Sequence, residues 1–283
     1  MRETRNIFVT IIYYILLSAI AIAFLIPLIW GISGSFRPRD EIFKYSSPIS
    51  WRTFIPTNFT VEAYKRIFTE RIPVFYPRSL FNSLFISFMT VIIGLIINSL
   101  AGFAFARYNF KGKNFLFALV IFSFMIPFEV IAIPLYILVK SWNLIDTYSA
   151  LVLPALANGL AVFLFKQFFE EIPSSLFDAA RIDGAPVLTI LAKIVFPLSI
   201  PVTICVSLLL FLGQWDSFFW PLIAVTKNDL TVVQVAVSRW WGQYGVEWNL
   251  ILAGSMFAAA IPVFLFLFFQ KYYVQGIAGT GLK

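Results

Sequence analysis

The 283-residue sequence contains no histidine and a single cysteine, Cys205, set inside an apolar run. Without imidazole, a His-ligated metal site and a His proton relay are excluded, and one cysteine cannot form a disulfide within the chain. Cys205 therefore reads as a small buried hydrophobe. Charge is scarce as well, at 12% of residues, against about a quarter in a soluble domain. The Walker A pattern is missing: the only Gly-Lys, Gly112-Lys113, has Arg107 where the first glycine should stand. Gly-x-Ser-x-Gly and His-Glu-x-x-His are also absent. An enzyme is not expected, nor a cofactor held by this chain.

What is present is apolar. Hydrophobic residues make up 60% of the chain, with 33 Phe and a mean hydropathy of +0.87, so a bilayer must be the main solvent. The net charge of +7 lies in loops between apolar runs, where anionic headgroups and topology control account for it without nucleic acid. A span needs about 20 apolar residues. Six stretches qualify: Ile7 to Trp30, Leu80 to Phe105, Phe115 to Val139, Tyr148 to Phe168, Pro197 to Val225 and Trp248 to Phe269. The expected fold is all-α, a multi-pass membrane protein of six spans, some kinked at Pro27, Pro127, Pro134, Pro154, Pro201 and Pro262. Gly94, Gly102 and Gly159 suit close helix packing. The chain divides into residues 1–79, a first helix with an external segment, and a core at 80–283, with a loop at 170–197 and a tail at 271–283.

Basic residues at Arg2, Arg5 and Arg107 to Lys113 favour cytoplasmic termini by the positive-inside rule. The segment Arg37 to Arg78, itself basic, opposes that assignment. This segment reads as a folded cap, with Thr60 capping a helix over Val61 to Phe68. Thr226 to Glu247, with Trp240, Trp241 and Tyr244, reads as an interfacial amphipathic element.

Between the fourth and fifth stretches lies a polar loop, Glu170 to Pro197. Ser175 and Asp178 have capping-box spacing, which predicts a helix starting at Leu176. Gly184 suits the left-handed position after its last turn. Ala179 and Ala180 give a small-residue surface, Leu176, Phe177 and Ile182 supply apolar anchors, and Asp178, Arg181 and Asp183 supply rim charges. Two readings follow from these residues: a helix lying on the membrane, or one docking a partner protein.

The same residues resemble the signature of ABC importer permeases: Glu-Ala-Ala, three residues, Gly, nine residues, Ile, one residue, Leu-Pro. The chain has Asp178-Ala179-Ala180, Gly184, Ile194 and Phe196-Pro197, with Asp for Glu and Phe for Leu at unchanged spacing. The resemblance runs from about Phe81 to the C-terminus and narrows to the carbohydrate-uptake permeases of the maltose-transporter MalG type. Supporting stretches include FNSLFIS near Asn82, AFARYNFKGK, GQYGVEWN and QKYYVQGIAG. It implies that Ser175 to Gly184 is a coupling helix seated in a cytoplasmic ATPase. It also implies a second homologous permease, two ATP-binding subunits carrying ATP and Mg, an external solute-binding protein, and a sugar-type solute. Location in a bacterial inner membrane with both termini cytoplasmic follows from the same likeness.

Charges inside spans are costly, about +2.5 to +3.5 kcal/mol at mid-helix, so Glu129 and Asp216 are expected to face a cavity or the bundle interior. With Asn98, Asn158 and Trp215 they are candidates for the solute path; helix-packing hydrogen bonds are the other reading. Lys166 is expected to snorkel to headgroups. A stand-alone ion-coupled transporter is the rival function and would need a midplane acid.

Overall fold

The computed structural model describes residues 7–71, 73–242 and 245–278, with side chains placed for 9–71, 73–241 and 245–270. Arg2, Arg5 and Tyr244 lie outside the described residues, as do the side chains of the sequence-assigned tail.

The chain is helical, apart from a two-stranded antiparallel hairpin, β1 (Trp241–Gly242) and β2 (Gly245–Val246). The helices are α1 (Ile7–Ser35), α2 (Trp51–Phe54), α3 (Glu62–Thr69), α4 (Tyr76–Arg107), α5 (Lys113–Met125), α6 (Phe128–Ser141), α7 (Tyr148–Val152) and α8 (Gly159–Glu171). They continue as α9 (Ser174–Ile182), α10 (Val187–Ile190), α11 (Phe196–Leu198), α12 (Ile200–Trp215), α13 (Phe219–Ala224), α14 (Val233–Ser238) and α15 (Trp248–Ala278). Three helices cross-qualify as unbroken membrane spans, over Val9–Ser35, Tyr76–Arg107 and Trp248–Gln270. Three bent pairs bring the total to six if each pair is one span.

The bends correct the expectation of mere kinks. Phe115 to Val139 is two helices, α5 and α6, meeting at 102°. The residue before a proline is pushed to extended backbone, and Ile126, before Pro127, has φ −79° and ψ 122°. Tyr148 to Phe168 bends by 43° and restarts as α8 where the Asn158 side chain accepts from the Ala161 amide at 2.9 Å. The fifth stretch does not run from Pro197 to Val225. Val187–Leu198 and Ile200–Trp215 meet at 85°, after a π-helical turn at Leu191–Val195, and α13 is separate. At that bend Ser199 is buried, and its hydroxyl donates to Val195 O at 2.6 Å.

The chain forms two compact units. The first comprises residues 1–76 and 237–259, so it takes in a segment that the sequence division at residue 79 left with the core. Its helix α1 exposes apolar side chains around its circumference, Phe24 being 81% exposed with Leu25 and Ile26 also open, an arrangement suited to lipid rather than water. The segment after α1 folds on two buried charged residues. Arg37 donates to Ser33 Oγ at 2.9 Å, Arg52 O at 2.6 Å and Thr53 O at 3.0 Å. Glu41 accepts from the Thr57 amide at 2.9 Å and from the Thr57 hydroxyl. Helix α3 begins at Glu62, one residue later than expected, and Thr60 Oγ1 accepts from the Glu62 amide at 3.1 Å. Trp240 is buried and packs on Tyr76, whereas Trp241 is exposed, so these two aromatics of the expected interfacial element do not share one face.

The second unit comprises residues 77–236 and 260–283. Small residues let its helices touch: a Cβ on Gly102 would stand 2.6 Å from the Phe165 Cβ, and one on Gly159 would stand 2.6 Å from Val120 O. One apolar core joins Phe103, Phe165, Phe169, Phe177, Leu191 and Val206. A second joins Ile86, Leu151, Trp220 and Val235, where the Trp220 indole donates to Ala150 O at 2.8 Å. Asp146 ties two loops by accepting from the Thr226 hydroxyl at 2.7 Å and from the Thr226 and Lys227 amides. Those hydrogen bonds, the Thr226 hydroxyl first, hold its carboxyl below the ordinary range. Lys166 does not snorkel freely. Its ammonium pairs with Glu170 at 2.8 Å and lies over the Phe117 ring.

Candidate functional site

Two features of the second unit qualify as functional sites, the helix α9 and a cavity among the bent spans.

Helix α9 starts at Ser174, with Pro173 in the cap position and no side-chain cap. The Ser175–Asp178 capping box therefore does not form, because Ser175 already sits inside the first turn. Pro173 has φ −55° and ψ 134°, a conformation its ring favours just ahead of a helix. The C-terminal expectation is met. Gly184 has φ +73°, its amide donates to Arg181 O at 3.0 Å, and the Ala185 amide donates to Ala180 O at 2.9 Å. That pair of bonds is a Schellman motif.

The two faces of α9 differ. Phe177 is buried, packing at a tilt on Phe103 with ring centres 6.2 Å apart, and Ala180 is buried three residues on. The Arg107 guanidinium lies 4.1 Å from the centre of the Phe177 ring and donates to Phe169 O and Ile172 O. Phe177 and Ala180 thus hold α9 to the chain's own spans and are not free to meet a partner, which corrects their assignment as contact residues. Arg107 closes this joint from α4, a role that only the tertiary contact discloses. The opposite face carries Leu176, Asp178, Ala179, Arg181 and Ile182, all exposed, with Asp183, Gly184 and Pro197 exposed beyond it. Ile182 is 86% exposed, and Arg181 and Asp178 approach only to 3.6 Å.

The cavity, about 430 Å³, lies where α5–α6, α7–α8 and α12–α13 break. Glu129 in the first turn of α6 and Asn158 at the start of α8 line it. Sequence reasoning missed Thr90, Gln214 and Ser217, which also line it; hydroxyls and an amide inside apolar runs carry no distinguishing pattern. The Thr90 hydroxyl is buried without a hydrogen-bond partner among the described residues. Three of the proposed path residues fall elsewhere. Trp215 is buried and stacks on Phe211, Asp216 caps α12 away from the lining, and Asn98 is a brace. Asn98 donates to Gly94 O at 2.6 Å and Leu156 O at 2.8 Å and accepts from the Asn158 amide, which holds the Asn158 turn against α4. Among the described residues no group of three or more acidic or thiol ligands could hold a metal.

A family model described as "Binding-protein-dependent transport system inner membrane component" matches residues 91–278. The arabinooligosaccharides transport system permease protein AraQ of Halalkalibacterium halodurans is 37% identical over 264 residues, which is 93% of either chain. The sn-glycerol-3-phosphate transport system permease protein UgpE of Brucella melitensis is 30% identical over 273 residues, or 94% of either chain. A crystal structure of a bacterial ABC transporter that imports the acidic polysaccharide alginate superposes with a TM-score of 0.83 over 96% of this chain and 99% of that one. At 20% identity that likeness is one of fold. None of these matches favours an ion-coupled carrier acting alone.

Proposed function

Since the chain belongs to the family of inner membrane components of binding-protein-dependent transport systems, we propose that it is one permease half of an ATP-driven importer for a sugar or sugar-like solute. A second homologous permease completes the path, two copies of an ATPase bind ATP and Mg, and an external binding protein delivers the solute. The sugar assignment draws on relatives named for arabinooligosaccharides and lactose.

The observation that supports the coupling role is the division of α9 into a face fixed to its own spans and a face left exposed by the described residues. A helix that transmits a push must be rigid toward the load. Phe177, Ala180 and the Arg107 bridge supply that rigidity, and the Schellman cap stops the C-terminal end from fraying. Leu176, Asp178, Ala179, Arg181, Ile182 and Gly184 are then the surface received by the ATPase. The basic residues Arg107, Lys111 and Lys113 mark the turn from the end of α4 to the start of α5, so α9 and both termini are assigned to the cytoplasmic side. When the ATPase dimer closes on ATP, α9 carries α4 and α8 with it, and the breaks at 102° and 85° are where the path reshapes. No ATP chemistry is assigned to this chain.

The test is co-purification in mild detergent of the permease pair with the ATPase, comparing Ile182→Asp with the unaltered chain. Ile182 is 86% exposed, so the variant should insert and pair with the second permease normally while losing most of the ATPase. Full retention of ATPase by Ile182→Asp would remove α9 from that interface.

A further inference from the structure

The cavity's lining has one ionisable side chain, the acid Glu129, and no lysine or arginine among the described residues. Its remaining polar groups are the Thr90 and Ser217 hydroxyls and the Asn158 and Gln214 amides. We infer that this cavity excludes anionic solutes, Glu129 being the discriminating residue, and that the chain serves a neutral, hydroxyl-bearing solute and not a phosphorylated or uronic one.

Among side chains, the strong donors for phosphate or carboxylate are guanidinium and ammonium groups in charge-assisted pairs. The cavity offers no such donor, and a fixed acid at its edge repels a passing anion. The groups that it does offer match sugar hydroxyls. The Asn158 side-chain oxygen is committed to the Ala161 amide at 2.9 Å, so what this cavity-lining side chain has left to offer is its NH₂ donor. Gln214 has one long contact, 3.4 Å from Nε2 to Leu151 O, so its amide is largely unspent. The Thr90 hydroxyl, on a residue 99% buried, has no hydrogen-bond partner among the described residues, and an unsatisfied buried hydroxyl is costly unless a ligand or water meets it. Phe128 and Trp220, edge to face at 6.0 Å, add the apolar walls that the C–H faces of a sugar ring need. Glu129 stands in the first turn of α6, where the positive end of the helix dipole favours a negative side chain. A negative side chain is therefore accommodated locally, and no cationic side chain lines the cavity beside it among the described residues.

This inference rests on the cavity lying on the solute route, and the experiment separates the two. In proteoliposomes holding the complete transporter, Ser217→Cys is introduced with Cys205→Ala, which removes the native thiol. The introduced thiol is treated with methanethiosulfonates carrying trimethylammonium or sulfonate, each rate being divided by that for a free thiol in solution. Attraction by the fixed acid should favour the cationic reagent roughly tenfold, and adding Glu129→Gln should bring the ratio to within about twofold of unity. ATP with vanadate, which traps the ATPase, should change both rates severalfold. Rates indifferent to the trap would take the cavity off the route and the inference with it. Trap-sensitive rates that do not distinguish the two reagents, or a preference that survives Glu129→Gln, would overturn the charge selection alone. Gln214→Cys repeats the measurement where Ser217→Cys fails to assemble.

Discussion

The segment around α3 and the segment around α9 both lie outside the candidate spans and both carry a short amphipathic helix, yet they use their polar groups in opposite ways. On α3, Tyr64 donates to Ser35 Oγ at 2.8 Å, and Arg66 reaches Glu70 at 3.0 Å and Glu247 at 3.5 Å. Glu247 also holds Arg39 at 2.6 Å. Every one of those groups is satisfied inside the first unit. On α9 the apolar stripe of Phe177 and Ala180 is buried, while Asp178 and Arg181 stay mostly exposed at 3.6 Å from one another. A helix whose charges pair with neighbouring segments serves the fold, and one that is anchored by apolar burial, with its charges paired only to each other at the surface, is available for recognition.

Three perturbations test that contrast, and the largest effect belongs to the anchor. Phe177→Ala removes a ring buried under Arg107 and beside Phe103, and should cost about 3 to 5 kcal/mol locally. Limited proteolysis between residues 171 and 187 should rise sharply with the spans intact, and uptake should be lost. If the loop stayed as protected as before, the apolar anchor would not be what holds α9.

Acid comes second. Burial opposes the charged form of Glu41, but hydrogen bonds from Thr57 and Asn58 outweigh it and hold the carboxyl below its ordinary value. A depressed folded-state value contributes stability that is complete above the unfolded value of roughly 4.3 and is lost as pH falls through the folded one. Amide exchange over residues 36–60 should accelerate below about pH 4, and Glu41→Gln should flatten that dependence. The α9 loop should show no parallel change, having no buried carboxylate; acid loosening of both segments alike would erase the distinction.

The smallest effect is expected at Arg66→Ala. Its ion pairs are partly exposed, and pairs of that kind contribute about 0.2 to 1 kcal/mol. A modest drop in thermal midpoint, shrinking further in high salt, is the expected outcome, and a collapse of the first unit would show that α3 depends on charge far more than its exposure implies.

The helical, membrane-spanning class and the Gly184 turn were legible because apolar length and a left-handed glycine are local properties. The breaks were not. Pro27 and Pro262 sit inside continuous helices, whereas Pro127 ends one; whether a freed carbonyl finds a new partner is decided by neighbours that a linear pattern does not reveal. Phe177 illustrates the same limit. Leu176, Phe177 and Ile182 are equally apolar in sequence, and only packing against Phe103 separates the buried residue from its two exposed neighbours. Asn98 and Asn158 are alike in composition too, but one props the turn from behind while the other faces the cavity.

Helix α1 has a consequence for how the protein is made. Its 29 residues carry no charge, and each Leu, Ile, Phe or Val near the middle of such a helix contributes roughly −0.3 to −0.6 kcal/mol toward leaving the translocon for lipid. Its insertion is favourable before any later helix exists to pack against it. The segments that follow it therefore emerge from a ribosome already held at the bilayer through α1.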